Sequence, residues 1–174
     1  MLMVLVQQEE DRMLYGKMKS PIGDLTLVGS GDQLEMIGFP EGKGVIRVQP
    51  EWRREDSAFG NVVEQIDDYF AGDRKTFELS LKPSGTDFQL EVLKALTAIP
   101  YGQTVSYKEI AIAIGRPKAV RAVGAANGRN PLPIVIPCHR VIGSDGSLTG
   151  FGGGMEAKLY LLGLESRDVH HSSP

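Results

Sequence analysis

The chain has 174 residues, and its hydrophobic fraction of 41% is sufficient for one compact domain or two small ones. No apolar run approaches the ~20 residues of a membrane helix, and the short apolar start lacks the basic residues and cleavage site of a signal peptide, so we expect no membrane partner. A single cysteine excludes an intrachain disulfide and favours a reducing, cytoplasmic location. The first 137 residues contain neither Cys nor His, so no metal site is predicted there.

The net charge of −3 conceals an asymmetry between the two halves of the chain. Residues 1–83 carry 10 basic and 15 acidic side chains, whereas residues 84–174 carry 9 and 7. Between residues 101 and 140, six basic side chains oppose one acidic residue, Glu109. This local excess indicates an anionic partner for the second half. Charge alone leaves a nucleic acid and a merely solvated face both open.

The first half is predicted to form a small antiparallel sheet and one helix. Apolar and polar residues alternate through residues 13–39, with turn sequences at 20–23 and 29–32. Residues 58–70 have helical periodicity, with Val62, Ile66 and Phe70 on one face and Gly72 just past the end. Residues 40–56 receive no assignment.

A polar stretch at residues 72–86 is the candidate linker between the two parts of the chain. It predicts an N-terminal α/β domain over residues 1–83 and a C-terminal domain over residues 84–174. The second contains the local excess of basic side chains and the only cysteine.

The second half is predicted to be mostly helical. Thr86 and Gln89 have the spacing of a capping box that opens a helix over residues 86–98, and Ser106 and Glu109 repeat that spacing. A short turn then leads to a third helix at about residues 118–127. Two helices joined by a short glycine-containing turn are typical of a helix-turn-helix. The fold class is therefore α+β.

The third helix is unusually rich in residues with small side chains: Ala119, Ala122, Gly124, Ala125, Ala126 and Gly128. Glycine inside a helix costs about 0.5–1 kcal/mol relative to alanine, so something must come close to this backbone. Tight packing inside the protein and contact with a nucleic-acid groove both remain open. Arg121, which projects from the same helix, favours the groove.

An apolar, proline-rich segment precedes the only cysteine. Three prolines between residues 131 and 137 predict a stiff, buried, extended segment that delivers Cys138 and His139 together. Adjacent side chains of an extended segment point in opposite directions, so His139 would need a bent backbone or a water to reach the thiol. Glu165, on a late helix over residues 156–165, is the candidate to orient the imidazole. We expect this network to supply thiolate near neutral pH.

This segment resembles the active-site signature of the O6-alkylguanine-DNA alkyltransferase family, in its bacterial stand-alone form. The resemblance covers about residues 86–165. It rests on four stretches: Ile134-Val135-Ile136-Pro137-Cys138-His139-Arg140-Val141, Arg121-Ala122-Val123-Gly124, Asn130-Pro131 and Gly150-Phe151-Gly152-Gly153-Gly154. The first 83 residues resemble the family only in layout, which implies a ribonuclease-H-like N-terminal domain beside a winged-helix-like C-terminal one.

The resemblance implies a reaction and a set of roles. An alkyl group would pass irreversibly from O6 of guanine, or O4 of thymine, in double-stranded DNA to Cys138. His139 would relay its proton through a water, and Glu165 would orient His139. The protein would need no cofactor, act once and work as a monomer.

Further roles follow from the same resemblance. Tyr107 would help to rotate the nucleotide and contact the guanine, while Arg121 would fill the gap left by the flipped base. The third helix would enter the minor groove through Ala122, Gly124 and Ala125. Asn130 would tie that helix to the active-site segment. The substrate pocket would be lined by Pro133, Val141, Phe151, Gly152 and Gly153. Many relatives have Tyr-Ser at positions 151 and 152, so this loop departs from the family pattern and predicts a roomier pocket.

Three other functions fit parts of the sequence less well. A helix-turn-helix regulator without transfer activity would need base-reading side chains that the Ala/Gly helix offers only sparingly. A non-catalytic lesion binder of the family would lack the acceptor cysteine, which is present here. A thiol hydrolase is disfavoured because adjacent Cys and His do not suit the usual thiolate–imidazole pair.

Overall fold

The computed structural model describes residues 12–171, with side chains through Arg167. A four-stranded sheet in the order β3-β2-β1-β4 forms the first half. Its strands are β1 (Leu14–Met18), β2 (Leu25–Ser30), β3 (Gln33–Gly38) and β4 (Arg53–Arg54). The first three pair antiparallel as predicted, whereas β4, in the unassigned stretch, runs parallel to β1. The sheet is therefore mixed.

A short 3-10 helix, Asp56–Phe59, leads into helix α1, Gly60–Ala71. Gly72 ends the helix in the left-handed conformation with φ 84°, as predicted. The buried face contains Val62, Ile66 and Tyr69, while Phe70 is only partly buried. The buried stripe runs at i, i+4 and i+7 and so passes through Tyr69, and Phe70, predicted on the face of Val62 and Ile66, packs against this core while partly exposed.

The stretch over residues 72–86 does not behave as a free linker. The amide of Leu34 donates to the carbonyl of Ser80, and the amide of Lys82 donates to the carbonyl of Leu34, both at 2.9 Å. Leu81 thereby forms an isolated parallel bridge with β3. An edge strand leaves backbone groups unpaired, and this stretch satisfies some of them.

The second half is mostly helical, as predicted. It contains α2 (Asp87–Thr97), β5 (Val105–Ser106), α3 (Tyr107–Ala113), α4 (Val120–Gly128), a 3-10 helix (Cys138–Arg140), β6 (Val141–Ile142) and α5 (Met155–His171). Both predicted capping boxes are formed, at Thr86 and at Ser106. β5 and β6 pair in parallel.

One continuous cluster of buried side chains joins the two halves. It includes Ile66 and Tyr69 of α1, Leu96 of α2, Leu161 of α5 and Cys138. The architecture is α+β, as the sequence predicts, and the proposed division at residues 83 and 84 stays a prediction. Among the residues described, no helix is long and apolar enough to cross a membrane.

Candidate active site

The segment before Cys138 folds into turns, so the predicted extended conformation was wrong. The side chain of Asn130 accepts from the amide of Leu132 at 3.0 Å and donates to the carbonyl of Ile136 at 2.8 Å. The amide of Ile136 also donates to the carbonyl of Leu132 at 2.8 Å. The Asn130 amide thus supplies the backbone with partners that an extended strand would have needed from a sheet.

Ile134, inside these turns, adopts φ 73° although its side chain is β-branched and fully buried. Such a conformation costs on the order of 1–3 kcal/mol and persists only where the surroundings enforce it. The tight turns leave Cys138 at the start of a 3-10 helix. Cys138 and His139 therefore follow a bent backbone.

Cys138 is 4% exposed and lines a cavity of about 310 Å³. Three of the residues predicted for the substrate pocket line this cavity: Pro133, Phe151 and Gly152. The opposite wall comes from the first half of the chain and includes Met36, Phe39, Lys43 and Ile46. The sequence did not point to this wall, because residues 40–56 carry no recognisable pattern.

Two predicted pocket residues lie elsewhere. Val141 is fully buried beneath the site, and its carbonyl accepts a hydrogen bond from Lys158 Nζ at 2.7 Å. Gly153 lines a separate cavity together with Tyr160. A Cβ added at Gly153 would lie 2.8 Å from the ring of Phe39, so this glycine permits close packing between the two halves of the chain.

Tyr107 lies beside the Cys138 cavity and not in it. It lines a neighbouring groove of about 720 Å³ together with Gly124 and Ala125 of α4. Its hydroxyl is 2.8 Å from the hydroxyl of Thr149. Phe151 and Gly152 border both spaces, so the groove and the cavity are continuous along the 149–154 loop.

The resting thiol of Cys138 is protonated at neutral pH. Burial raises its pKa to about 11, and a hydrogen bond with Asn130 and the nearby Lys158 ammonium lower that pKa only in part. The expected thiolate near neutrality is therefore not a property of the free protein, because burial of the thiol removes the water that would solvate its charge. A base must take the proton when the reaction occurs.

His139 has the position and the neutral ring that a base for this thiol would need. Its side chain is fully buried, and its Nε2 lies 2.7 Å from Oε1 of Glu165. Burial lowers the pKa of His139, so the ring is neutral near pH 7 and Nε2–H donates to the carboxylate. Nδ1 then carries the free lone pair. Within the described residues Nδ1 is buried without a hydrogen-bond partner, so no direct bond joins it to the thiol.

Glu165 is the centre of the buried polar network. It accepts from Tyr69 Oη at 2.8 Å, from Arg140 Nε at 2.9 Å and Nη2 at 2.8 Å, and from the amide of Gly102 at 3.3 Å. Burial alone would raise its pKa, but the hydrogen bonds and charges of His139 and Arg140 outweigh burial and hold the pKa at about 2. Glu165 is therefore a permanent carboxylate that fixes the imidazole.

Lys158 is a component of the site that the sequence analysis missed. It is fully buried, and Nζ donates to the carbonyls of Val141 and Thr149 at 2.7 and 3.0 Å. It joins the strand after Cys138 to the loop that borders the cavity, and its charge favours the thiolate. A signal was available, since Lys158, Leu161 and Glu165 share one helix face at i, i+3 and i+7.

The outward face of α4 is exposed and consists largely of small residues. Arg121, Ala122 and Ala125 are exposed, whereas Val123 and Ala126 face the core. A Cβ added at Gly124 would come no closer than 3.8 Å to Tyr107, and one at Gly128 would meet nothing within 4 Å. Internal packing therefore does not require these two glycines, and the second explanation left open by the sequence, close approach of an external body, is the one that fits.

Comparison with known proteins assigns the family. The model of the 6-O-methylguanine DNA methyltransferase ribonuclease-like domain matches residues 13–83, and that of the DNA binding domain matches residues 87–167. This chain belongs to the 6-O-methylguanine DNA methyltransferase family.

Within residues 12–171, no three His, Cys, Asp or Glu side chains are grouped as metal ligands.

Relatives from archaea and bacteria match over nearly their whole length. The methylated-DNA–protein-cysteine methyltransferase of Methanosarcina barkeri is 48% identical over 90% of this chain and 99% of its own. That of Mycobacterium tuberculosis is 50% identical over 87% of this chain and 91% of its own. The crystal structure of Mycobacterium tuberculosis OGT in complex with DNA matches with TM-score 0.84 and 48% identity, covering 89% of this chain and 94% of that one.

Proposed function

We propose that this chain is a methylated-DNA–protein-cysteine methyltransferase that repairs DNA by direct reversal. It transfers a methyl or larger alkyl group from O6 of guanine, and also from O4 of thymine, to Cys138. The observation that carries this proposal is the placement of a single buried cysteine at a cavity beside a neutral His139 held by Glu165. Relatives about 50% identical to the chain are named for the same transfer to cysteine.

Double-stranded DNA is the proposed partner, bound through the exposed face of α4 in the minor groove. O6 lies on the pairing edge of guanine, so the nucleotide must leave the stack, at a cost of a few kcal/mol. Arg121 would fill the gap, with Ala122, Gly124 and Ala125 close to the backbone. Tyr107 would contact the extruded nucleotide in the groove that leads to Cys138.

In the chemical step, neutral His139 takes the proton of Cys138 through a bridging water while Glu165 stabilises the imidazolium. Sγ attacks the alkyl carbon, an S–C bond forms, and the C–O6 bond breaks with its electron pair moving to O6. The guanine anion takes up a proton and leaves. The thioether on Cys138 has no route back to thiol, so one protein repairs one lesion. The protein would need no cofactor. It would act as a monomer in the cytoplasm.

Intact-mass measurement after reaction with excess O6-methylguanine duplex tests the proposal. We expect one added methyl group per protein, located on Cys138, and no further product once the protein is consumed. Cys138→Ser should bind the duplex and gain no mass. A regulator without transfer activity would leave the wild-type mass unchanged, and more than one equivalent of repaired DNA would contradict single turnover.

A further inference from the structure

We propose that Lys43, together with Arg129, holds a backbone phosphate of the flipped nucleotide, so that the first half of the chain contacts DNA directly. The inference rests on the proposed function and adds a contact to it. The position of the two side chains supports this contact. Lys43 and Arg129 each line both the Cys138 cavity and the groove beside α4. They therefore stand at the opening that a base must pass to reach Cys138.

The backbone of Lys43 is held in place at this opening. The amide of Phe39 donates to the carbonyl of Gly44 at 2.9 Å, which closes the chain into a turn with Gly42 at φ 83°. The amide of Gly44 then donates to the carbonyl of Gly152 at 2.8 Å. The rings of Phe39 and Phe151 also pack edge to face, with centroids 5.3 Å apart. These contacts fix the turn on the 149–154 loop and leave the Lys43 side chain exposed.

Neither cation is neutralised by the protein. Within residues 12–167, no ion pair involves Lys43 or Arg129. The acidic neighbour of Lys43 in the turn, Glu41, lines a different cavity beside Tyr160. A lysine exposed without a partner is ordinary on a protein surface. A lysine and an arginine from distant parts of the chain that both line the Cys138 cavity and the adjoining groove form a candidate site for phosphate.

The first half of the chain as a whole does not favour DNA, so a contact there depends on where its cations lie. Residues 1–83 carry a net excess of five acidic side chains and would repel DNA. A nucleotide rotated by about 180° brings its own phosphates away from the helical path and toward the protein. Cations at the opening would stabilise that extruded backbone, whereas cations on α4 contact the remaining duplex.

The test compares Lys43→Ala, Lys43→Arg, Arg129→Ala and the control Lys19→Ala. Lys19 is also exposed, lies in the same half and makes no ion pair among the described side chains. We expect Lys43→Ala to weaken binding of the O6-methylguanine duplex about tenfold and to reduce the slope of log affinity against log salt by about one. Lys43→Arg should restore affinity. Free O6-benzylguanine has no phosphate, so Lys43→Ala and Arg129→Ala should slow its reaction less than they weaken duplex binding, and Lys19→Ala should leave it unchanged.

A neutral methylphosphonate at each phosphate flanking the lesion then locates the contact. At one of these positions the substitution should weaken wild-type binding, should weaken binding by Lys43→Ala less, and should have no further effect when Lys43 and Arg129 are both replaced by Ala. Additive losses at both positions, or a Lys43→Ala variant indistinguishable from Lys19→Ala, would overturn the inference. If wild-type protein gains no alkyl group from the duplex, the proposed function itself fails, so the two failures are separable.

Discussion

The phenol of Tyr69 donates a 2.8 Å hydrogen bond to Oε1 of Glu165, across 96 positions of the chain. Tyr69 lies on α1 in the first half, and Glu165 lies on α5 beside His139. Both side chains are buried. The first half of the chain is therefore part of the support for the imidazole that we propose as the base, in addition to forming one wall of the cavity.

Tyr69→Phe should lower the free energy of unfolding by about 1.5–3 kcal/mol, because a hydrogen bond to a buried carboxylate is lost while the ring remains. Urea unfolding measures this change. Tyr160→Phe is the matched control, since no hydrogen bond of its hydroxyl is seen among the described residues and its ring is partly buried. Equal stabilities of Tyr69→Phe and wild type would show that the hydrogen bond contributes nothing.

Stability should fall as the pH drops below about 6.5. Burial lowers the pKa of His139 in the folded protein, so between its unfolded and folded pKa values only the unfolded chain binds the proton. The stabilising effect is present above the unfolded pKa and is lost as the pH falls toward the folded one. A second loss should begin below about 4.5, where Glu165, with a folded pKa of about 2, becomes protonated in the unfolded chain.

Urea midpoints between pH 8 and pH 3 test both steps. The Glu165 step corresponds to stability on the order of 3 kcal/mol. His139→Gln should remove the step near pH 6.5 and keep only part of the one at lower pH, because Arg140 still donates to Glu165 whereas His139 does not. A wild-type midpoint that stays constant from pH 8 to pH 5 would contradict the assignment of a neutral, buried imidazole.

Lys158→Met should raise the pKa of Cys138 further and slow alkyl transfer about tenfold or more, because the buried ammonium favours the thiolate and holds the loop at Thr149. The chain has one cysteine, so the pH profile of its reaction with iodoacetamide reports Cys138 alone. Lys94→Met, on the exposed face of α2, controls for loss of charge. An unchanged profile in Lys158→Met would exclude an electrostatic role for this lysine.

Gly152 and Gly153 should respond differently to the same added methyl group. At Gly152 the new Cβ would lie 3.6 Å from the nearest atom, an ordinary contact, so Gly152→Ala should fold normally. At Gly153 it would lie 2.8 Å from the buried ring of Phe39, and we expect Gly153→Ala to lose about 1–3 kcal/mol of stability. Thermal unfolding compares the two, and Phe39→Leu should partly rescue Gly153→Ala.

The glycine-rich loop at residues 149–154 also predicts that the protein accepts large alkyl groups. Wild-type protein should react with benzyl as well as methyl adducts in competition, and Gly152→Leu, which narrows the Cys138 cavity, should reduce benzyl transfer more than methyl transfer. Exclusion of benzyl by the wild type would mean that the wall from the first half sets the limit on size.

Arg121→Ala should reduce repair of duplex DNA by about tenfold or more and leave reaction with free O6-benzylguanine unchanged. Only the duplex has a gap to fill once the base has left it, and Arg121 is exposed on α4, away from the Cys138 cavity. Single-turnover rates on both substrates provide the measurement. Equal losses on both would contradict a role in base extrusion.

Local patterns were sufficient for most of the elements. The two capping boxes begin helices where the side chains at Thr86 and Ser106 satisfy backbone amides, and Gly72 ends α1 because glycine adopts the left-handed conformation at low cost. These interactions span only a few residues, so the sequence contains all of their partners. The reactive segment around Cys138 was recognisable for the same reason, since its motif is continuous.

The tertiary structure alone decided how that motif is supported. Tyr69 and the turn at Lys43 reach the site across long stretches of chain, and no spacing in the sequence encodes those contacts. It also decided the protonation state: burial, and not the neighbouring imidazole, dominates the pKa of Cys138. Desolvation depends on everything packed around a group, so the sequence identified the nucleophile, whereas the fold determined that it rests as a thiol and needs a base.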